Sequence, residues 1–116
     1  MLVLVIVPIV VFAMMSVKPV QPGKYDNLAQ CLTDKGVKMY GAYWCSHCKA
    51  QKEMFGTSFG KVNYIECSLA GGQGQTTECK EAGIESYPTW EFKDGSRLSG
   101  EVSLETLGEK SGCELE

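Results

Sequence analysis

A chain of 116 residues, 44% of them apolar, holds one domain large enough to bury a core without a structural metal. Its 11 basic and 14 acidic residues leave a net charge of −3 with no basic stripe, which argues against nucleic acid as a partner. Six cysteines are more than a cytosolic protein of this size usually carries and fit an oxidising compartment.

The amino terminus points the same way. Leu2 to Met15 is almost entirely apolar, with no charge before Lys18. As a helix, Met1 to Val17 would span roughly 25 Å, a little short of a hydrocarbon core of about 30 Å and well suited to an export signal. The small-residue cleavage pattern is poor around Ala13 and Ser16, so residues 1–17 read as an uncleaved anchor more readily than as a cleaved signal. A buried first strand is the plainer alternative. Residues 18–24, with Pro19, Pro22 and Gly23, form a linker.

From there the signals alternate. Asp26 or Asn27 caps a helix carrying Leu28, Cys31 and Leu32 on one face and closed by Gly36. Val37 to Tyr43 is a strand, Cys45 to Phe55 a helix stopped at Gly56, and Val62 to Ile65 a second strand. Ser68 to Thr76 is a glycine-rich loop, and Thr77 to Ala82 a short helix ending at Gly83. Two strands, Pro88 to Phe92 and Leu98 to Val102, flank the Asp94-Gly95 turn, and Ser103 caps a last helix. The order β-α-β, hairpin, helix predicts an α/β domain with a mixed sheet over residues 25–113. The tail, 114–116, is set aside as an appendage.

The chemistry sits in Cys45-Ser46-His47-Cys48, where strand gives way to helix. A helix N-terminus offers unpaired N–H groups and about half a positive charge, which favour a thiolate, so Cys45 is the expected nucleophile. Cys48 lies one turn later and can resolve a mixed disulfide by closing the Cys45–Cys48 bond. A partly positive His47 would stabilise the reduced form and move the potential toward about −120 mV, away from about −270 mV. A zinc module would want a second cysteine or histidine pair, which the chain lacks, so no metal or cofactor is expected. A membrane-tethered adaptor with only structural cysteines is the reading from another class.

These residues resemble the thioredoxin superfamily: Trp44-Cys45-Ser46-His47-Cys48 after a strand, Tyr87-Pro88 before another, and a hairpin before a final helix. The resemblance implies a three-layer sandwich with a mixed central sheet, a cis Pro88 packed against the dithiol, and a Tyr87 backbone placed to pair with a substrate strand. The run from Met39 to Cys48, with Tyr64-Ile65-Glu66-Cys67, Gly83-Ile84 and Pro88-Thr89-Trp90, is similar to the thioredoxin-like domain fused to bacterial and plant homologues of vitamin K epoxide reductase. Ser46 stands where many of those domains have proline, so the helix start is less rigid. This likeness implies a substrate-facing unit reoxidised by a separate membrane protein.

Cys67 and Cys79 flank the glycine-rich loop. A bond between them would contribute roughly 3 kcal/mol by loop-closure entropy, and the resembling domains carry cysteines at both positions. A structural bridge is favoured over a second shuttle pair. Cys31 and Cys113 are candidates for a third bridge, although six cysteines allow 15 connectivities. Trp44 and Trp90 read as rim and core aromatics, with Trp44 also shielding the dithiol. The chain is thus expected to be a monomeric thiol-disulfide oxidoreductase, anchored or secreted, acting on protein cysteines in the periplasm, a thylakoid lumen or another extracytoplasmic space. The same residues run in reverse would make a reductase or isomerase.

Overall fold

The computed structural model describes residues 23–115; the anchor and most of the linker read from the sequence lie outside them. Among the described residues no helix is long and apolar enough to cross a membrane. Helix α1 (Asp26–Asp34) leads to strand β1 (Lys38–Gly41), then helix α2 (Ser46–Phe55), a 3₁₀ helix (Gly56–Lys61) and strand β2 (Tyr64–Glu66). Helix α3 (Thr77–Glu81), strands β3 (Thr89–Glu91) and β4 (Arg97–Ser99), and helix α4 (Leu104–Ser111) complete the chain.

The four strands form one sheet in the order β2-β1-β3-β4. β1 and β2 are parallel, with Met39 beside Tyr64, because the intervening helix carries the chain back to the same end. β3 runs antiparallel to both β1 and β4, with Met39 opposite Trp90. Strand alternation divides the side chains between two cores. Met39, Tyr64 and Trp90 meet Leu28, Leu32, Cys48, Phe55, Leu104 and Leu107 from α1, α2 and α4. Tyr40 and Ile65, on the opposite face, meet Cys67, Cys79 and Ile84 around α3. The sheet is therefore covered on both sides, an α/β arrangement consistent with a thioredoxin-like fold.

Local chemistry accounts for most boundaries. Ser103 caps α4 by accepting the Thr106 N–H at 3.2 Å, and Thr76 caps α3 by accepting the Cys79 N–H at 3.3 Å. Helix α1 starts differently from the sequence expectation: Tyr25 occupies the cap without a side-chain bond, and the Asp26 carboxylate turns back to accept the Gly23 N–H at 3.0 Å. Gly56 ends α2 with φ 59°, which glycine adopts without a Cβ penalty, and the chain continues as a 3₁₀ turn that the sequence did not announce. Both hairpin strands are shorter than expected, three residues each, and β4 starts one residue early, at Arg97.

Two disulfides tie the periphery to this frame. Cys31 in α1 bonds Cys113 after α4 across 82 residues, with Cα atoms 5.9 Å apart. Cys67 bonds Cys79 across 12 residues, Cα to Cα 5.5 Å, closing the glycine-rich loop. Leu115, in the tail, packs partly buried against the larger core.

One buried polar residue holds the centre. The Gln51 amide oxygen accepts from Trp90 Nε1 at 3.1 Å and from the Val102 N–H at 2.7 Å, while its nitrogen donates to the Val102 carbonyl at 2.9 Å. The bonds join α2 to β3 and to the segment entering α4, so the helix that carries the dithiol is held from its inner face. Among the described residues, every buried side-chain nitrogen or oxygen has a partner.

Candidate functional site

Strand β1 ends at Gly41 and the chain turns through Ala42–Trp44 before α2 begins. The turn is fixed by the Cys45 N–H donating to the Ala42 carbonyl at 3.0 Å. Cys45 occupies the N-cap of α2 with extended backbone (φ −79°, ψ 122°), at the end of the helix that carries its free N–H groups, though its thiol makes no capping bond to them. It is half-buried and unbonded. Its Sγ donates to the Tyr87 carbonyl at 3.6 Å, which brings the segment before β3 against the dithiol. The Tyr87–Pro88 peptide bond is cis.

Cys48 also carries a free thiol but is fully buried. Burial pushes its thiol up to about 12, with the hydrogen bond and charge of Cys45 adding to the shift and a backbone bond from Ala42 opposing it. The sign follows from desolvation, which penalises the thiolate and leaves the neutral thiol alone. In a Cys45→Ser variant, thiolate absorbance above that of the Cys45→Ser/Cys48→Ser double variant stays flat from pH 8 to beyond 10. A rise centred near the ordinary value of 9.0 would contradict the burial argument. The two cysteines thus differ in access and in acidity within one helical turn.

Aromatic residues frame the accessible thiol. Trp44 is 53% exposed, meets Tyr87 edge to face at 5.9 Å, and donates from Nε1 to Ser68 Oγ at 2.9 Å. Gln75 Nε2 donates to both the Tyr87 hydroxyl (2.9 Å) and the Ile84 carbonyl (2.8 Å), linking the glycine-rich loop to the Tyr87 segment. Tyr43 and Leu69 are exposed apolar side chains, Leu69 within that loop and Tyr43 against it at Gly72. Tyr43, expected as the last residue of a strand, lies instead in the turn after β1, which ends at Gly41; Leu69 is not singled out by the sequence, because an apolar residue in a loop carries no periodicity to mark it.

The remaining sequence candidates are placed as follows. Ser46 is the first residue of α2. The His47 side chain is 68% exposed and its Nδ1 lies 2.9 Å from Glu101 Oε2, a partner 54 residues away that no sequence pattern marks. Cys67–Cys79 lies behind the glycine-rich loop and Cys31–Cys113 joins α1 to the end of α4. The structure therefore gathers Cys45, Cys48, Trp44, Tyr87 and Pro88 at one end of the sheet. Among the described residues no cluster of histidine, cysteine or acidic side chains has the arrangement of a metal site. A groove of about 520 Å³ lies away from the dithiol, by Asp34, Val37, Phe92 and Lys110.

No family model matches the chain. It is 47% identical over 93 residues to the thiol-disulfide oxidoreductase LTO1 of Arabidopsis thaliana, a match that covers 77% of this chain. The chain spans 24% of that relative's length. The chain is thus similar to part of a thiol-disulfide oxidoreductase, and its mixed four-stranded sheet is consistent with a thioredoxin-like fold.

Proposed function

We propose that this domain is a thiol-disulfide oxidoreductase in which Cys45 exchanges with protein cysteines and Cys48 resolves the mixed disulfide. The observation that carries the reading is the asymmetry of the pair. Cys45 is reachable at a helix N-terminus, whereas Cys48 is buried one turn behind it with a thiol that holds its proton. A substrate sulfur can reach the first and is screened from the second, which separates the attacking role from the resolving role. The Tyr87 backbone, already in contact with Cys45, is the element that would align an extended substrate segment, and Trp44 shields the bond from water.

The direction proposed is oxidation of cysteines in exported proteins. Reoxidation would come from a membrane protein of the vitamin K epoxide reductase type, in the periplasm, a thylakoid lumen or another extracytoplasmic space. The similarity to a thiol-disulfide oxidoreductase supports disulfide exchange as the chemistry. His47 tunes the potential from within the motif, and its contact with Glu101 sets where the imidazole sits.

The reduction potential tests the direction. After equilibration in glutathione buffers, with each cysteine pair quantified by mass spectrometry, the Cys45–Cys48 couple is expected above about −200 mV. A value near −270 mV would instead support a reductase and overturn the oxidising assignment.

A further inference from the structure

The buried thiol poses a chemical problem that a pair of cysteines does not solve. Cys48 keeps its proton at neutral pH, yet resolving a mixed disulfide requires it to attack as a thiolate. The ionisable groups near it are Cys45 and Lys52 from α2 and Tyr64 from β2, with Glu66 beyond the phenol. Cys45 is occupied in the mixed disulfide at this step. Lys52 Nζ sits 4.0 Å over the Tyr64 ring, on the face of the phenol and not at its hydroxyl.

Tyr64 and Glu66 are two apart on β2 and so share a sheet face, the one covered by α2. The Tyr64 hydroxyl donates to Glu66 Oε1 at 3.2 Å, and the other carboxylate oxygen accepts the Ser68 N–H at 3.1 Å. Gly41 explains how the phenol comes near the thiol. A Cβ at that position would lie 3.1 Å from Cys48 Sγ, 3.2 Å from the Tyr64 hydroxyl and 2.8 Å from its ring. Without that Cβ, the Cys48 sulfur and the Tyr64 hydroxyl border one and the same gap. Burial and the Glu66 charge both favour the neutral phenol, so Tyr64 serves as a conduit and Glu66, half-exposed, as the terminus.

We propose that Tyr64 and Glu66 relay the proton of Cys48, an inference that rests on the dithiol reading above. Cys48 passes its proton to the Tyr64 oxygen as the Tyr64 proton passes to Glu66 Oε1. The sulfur electron pair then forms the Cys45–Cys48 bond, and the bond from Cys45 to the substrate sulfur breaks. The substrate leaves as a thiolate that is protonated by solvent, while Glu66 returns its proton to water. One disulfide is reduced and one dithiol oxidised. In the opposite direction the relay returns a proton to Cys48 as it leaves.

Stopped-flow reaction of the domain, with only Cys45 and Cys48 reduced, against excess aromatic disulfide separates the steps. The first equivalent of coloured thiol reports attack by Cys45 and the second reports resolution by Cys48. Tyr64→Phe and Glu66→Gln are expected to keep the first phase and slow the second on the order of 10²-fold at pH 7. Their second phase should rise about tenfold per pH unit, as it must when only the spontaneous thiolate reacts, and the wild type should vary less. Glu66→Gln is isosteric and keeps the test standing should Tyr64→Phe fail to fold. A second phase unchanged in the folded variants would overturn the relay alone. A wild type that releases no thiol would overturn the dithiol reading and the relay with it.

Discussion

Replacing Cys45 by serine is expected to reduce disulfide exchange with a dithiol substrate on the order of 10³-fold or more, to the rate of the uncatalysed background. A serine hydroxyl neither ionises near neutral pH nor forms a disulfide, so both attack and redox storage are lost. The fold should survive, because the side chain is half-buried at a helix cap and its contact to Tyr87 is one that a hydroxyl can also make. Serine is moreover a favoured N-cap residue, so α2 should start no less firmly. Exchange assays paired with urea unfolding check both halves. Full activity in Cys45→Ser would place the chemistry elsewhere.

The second large effect concerns stability. Joint replacement of Cys31 and Cys113 by alanine is expected to lower the unfolding free energy by roughly 4 kcal/mol, since loop-closure entropy grows with the length of chain enclosed. That is a large share of the 5–15 kcal/mol typical of a single domain. The bond encloses nearly the whole described domain, joining α1 to the end of α4, and 82 residues separate its ends. The Cys67–Cys79 bond encloses 12 and should contribute less, roughly 3 kcal/mol, with the loss felt first in the glycine-rich loop beside Trp44. Urea denaturation of the two double variants orders them. A loss under about 1 kcal/mol for Cys31/Cys113 would contradict the loop-closure argument and mean that the reduced unfolded chain is already restricted by residual structure.

The parts of the fold that were legible are those decided by neighbours in sequence. The apolar run before Cys45 reads as a strand, the glycine at 56 as a helix end, Asp94-Gly95 as a turn and Ser103 as a cap, and each is found there within a residue or two. What escaped was decided by tertiary contact. Gln51 looks like any polar residue on a helix, and only the approach of Trp90 and Val102 makes it a buried hub. Asp26 looked like a cap and was drawn instead to the Gly23 N–H.

The candidate site divides in the same way. Cys45-x-x-Cys48 at a strand-to-helix junction is local and was visible at once, whereas the inequality of burial between the two thiols needed the sheet and α2 in place. Glu101 reaches His47 across 54 residues, and no pattern in the sequence connects them. Tyr64 and Glu66 did carry a usable signal, their spacing of two on a strand, but its meaning depended on Gly41 leaving room for the phenol.

The central claim is that Cys45 is the one sulfur that carries substrate. Cys48→Ser should trap the intermediate, because the resolving thiol is gone while the attacking one remains. After the variant is incubated with a peptide disulfide, mass spectrometry without reduction is expected to show one adduct per chain, on Cys45, with Cys31–Cys113 and Cys67–Cys79 intact. An adduct on Cys67 or Cys79, or no adduct at all, would contradict the account.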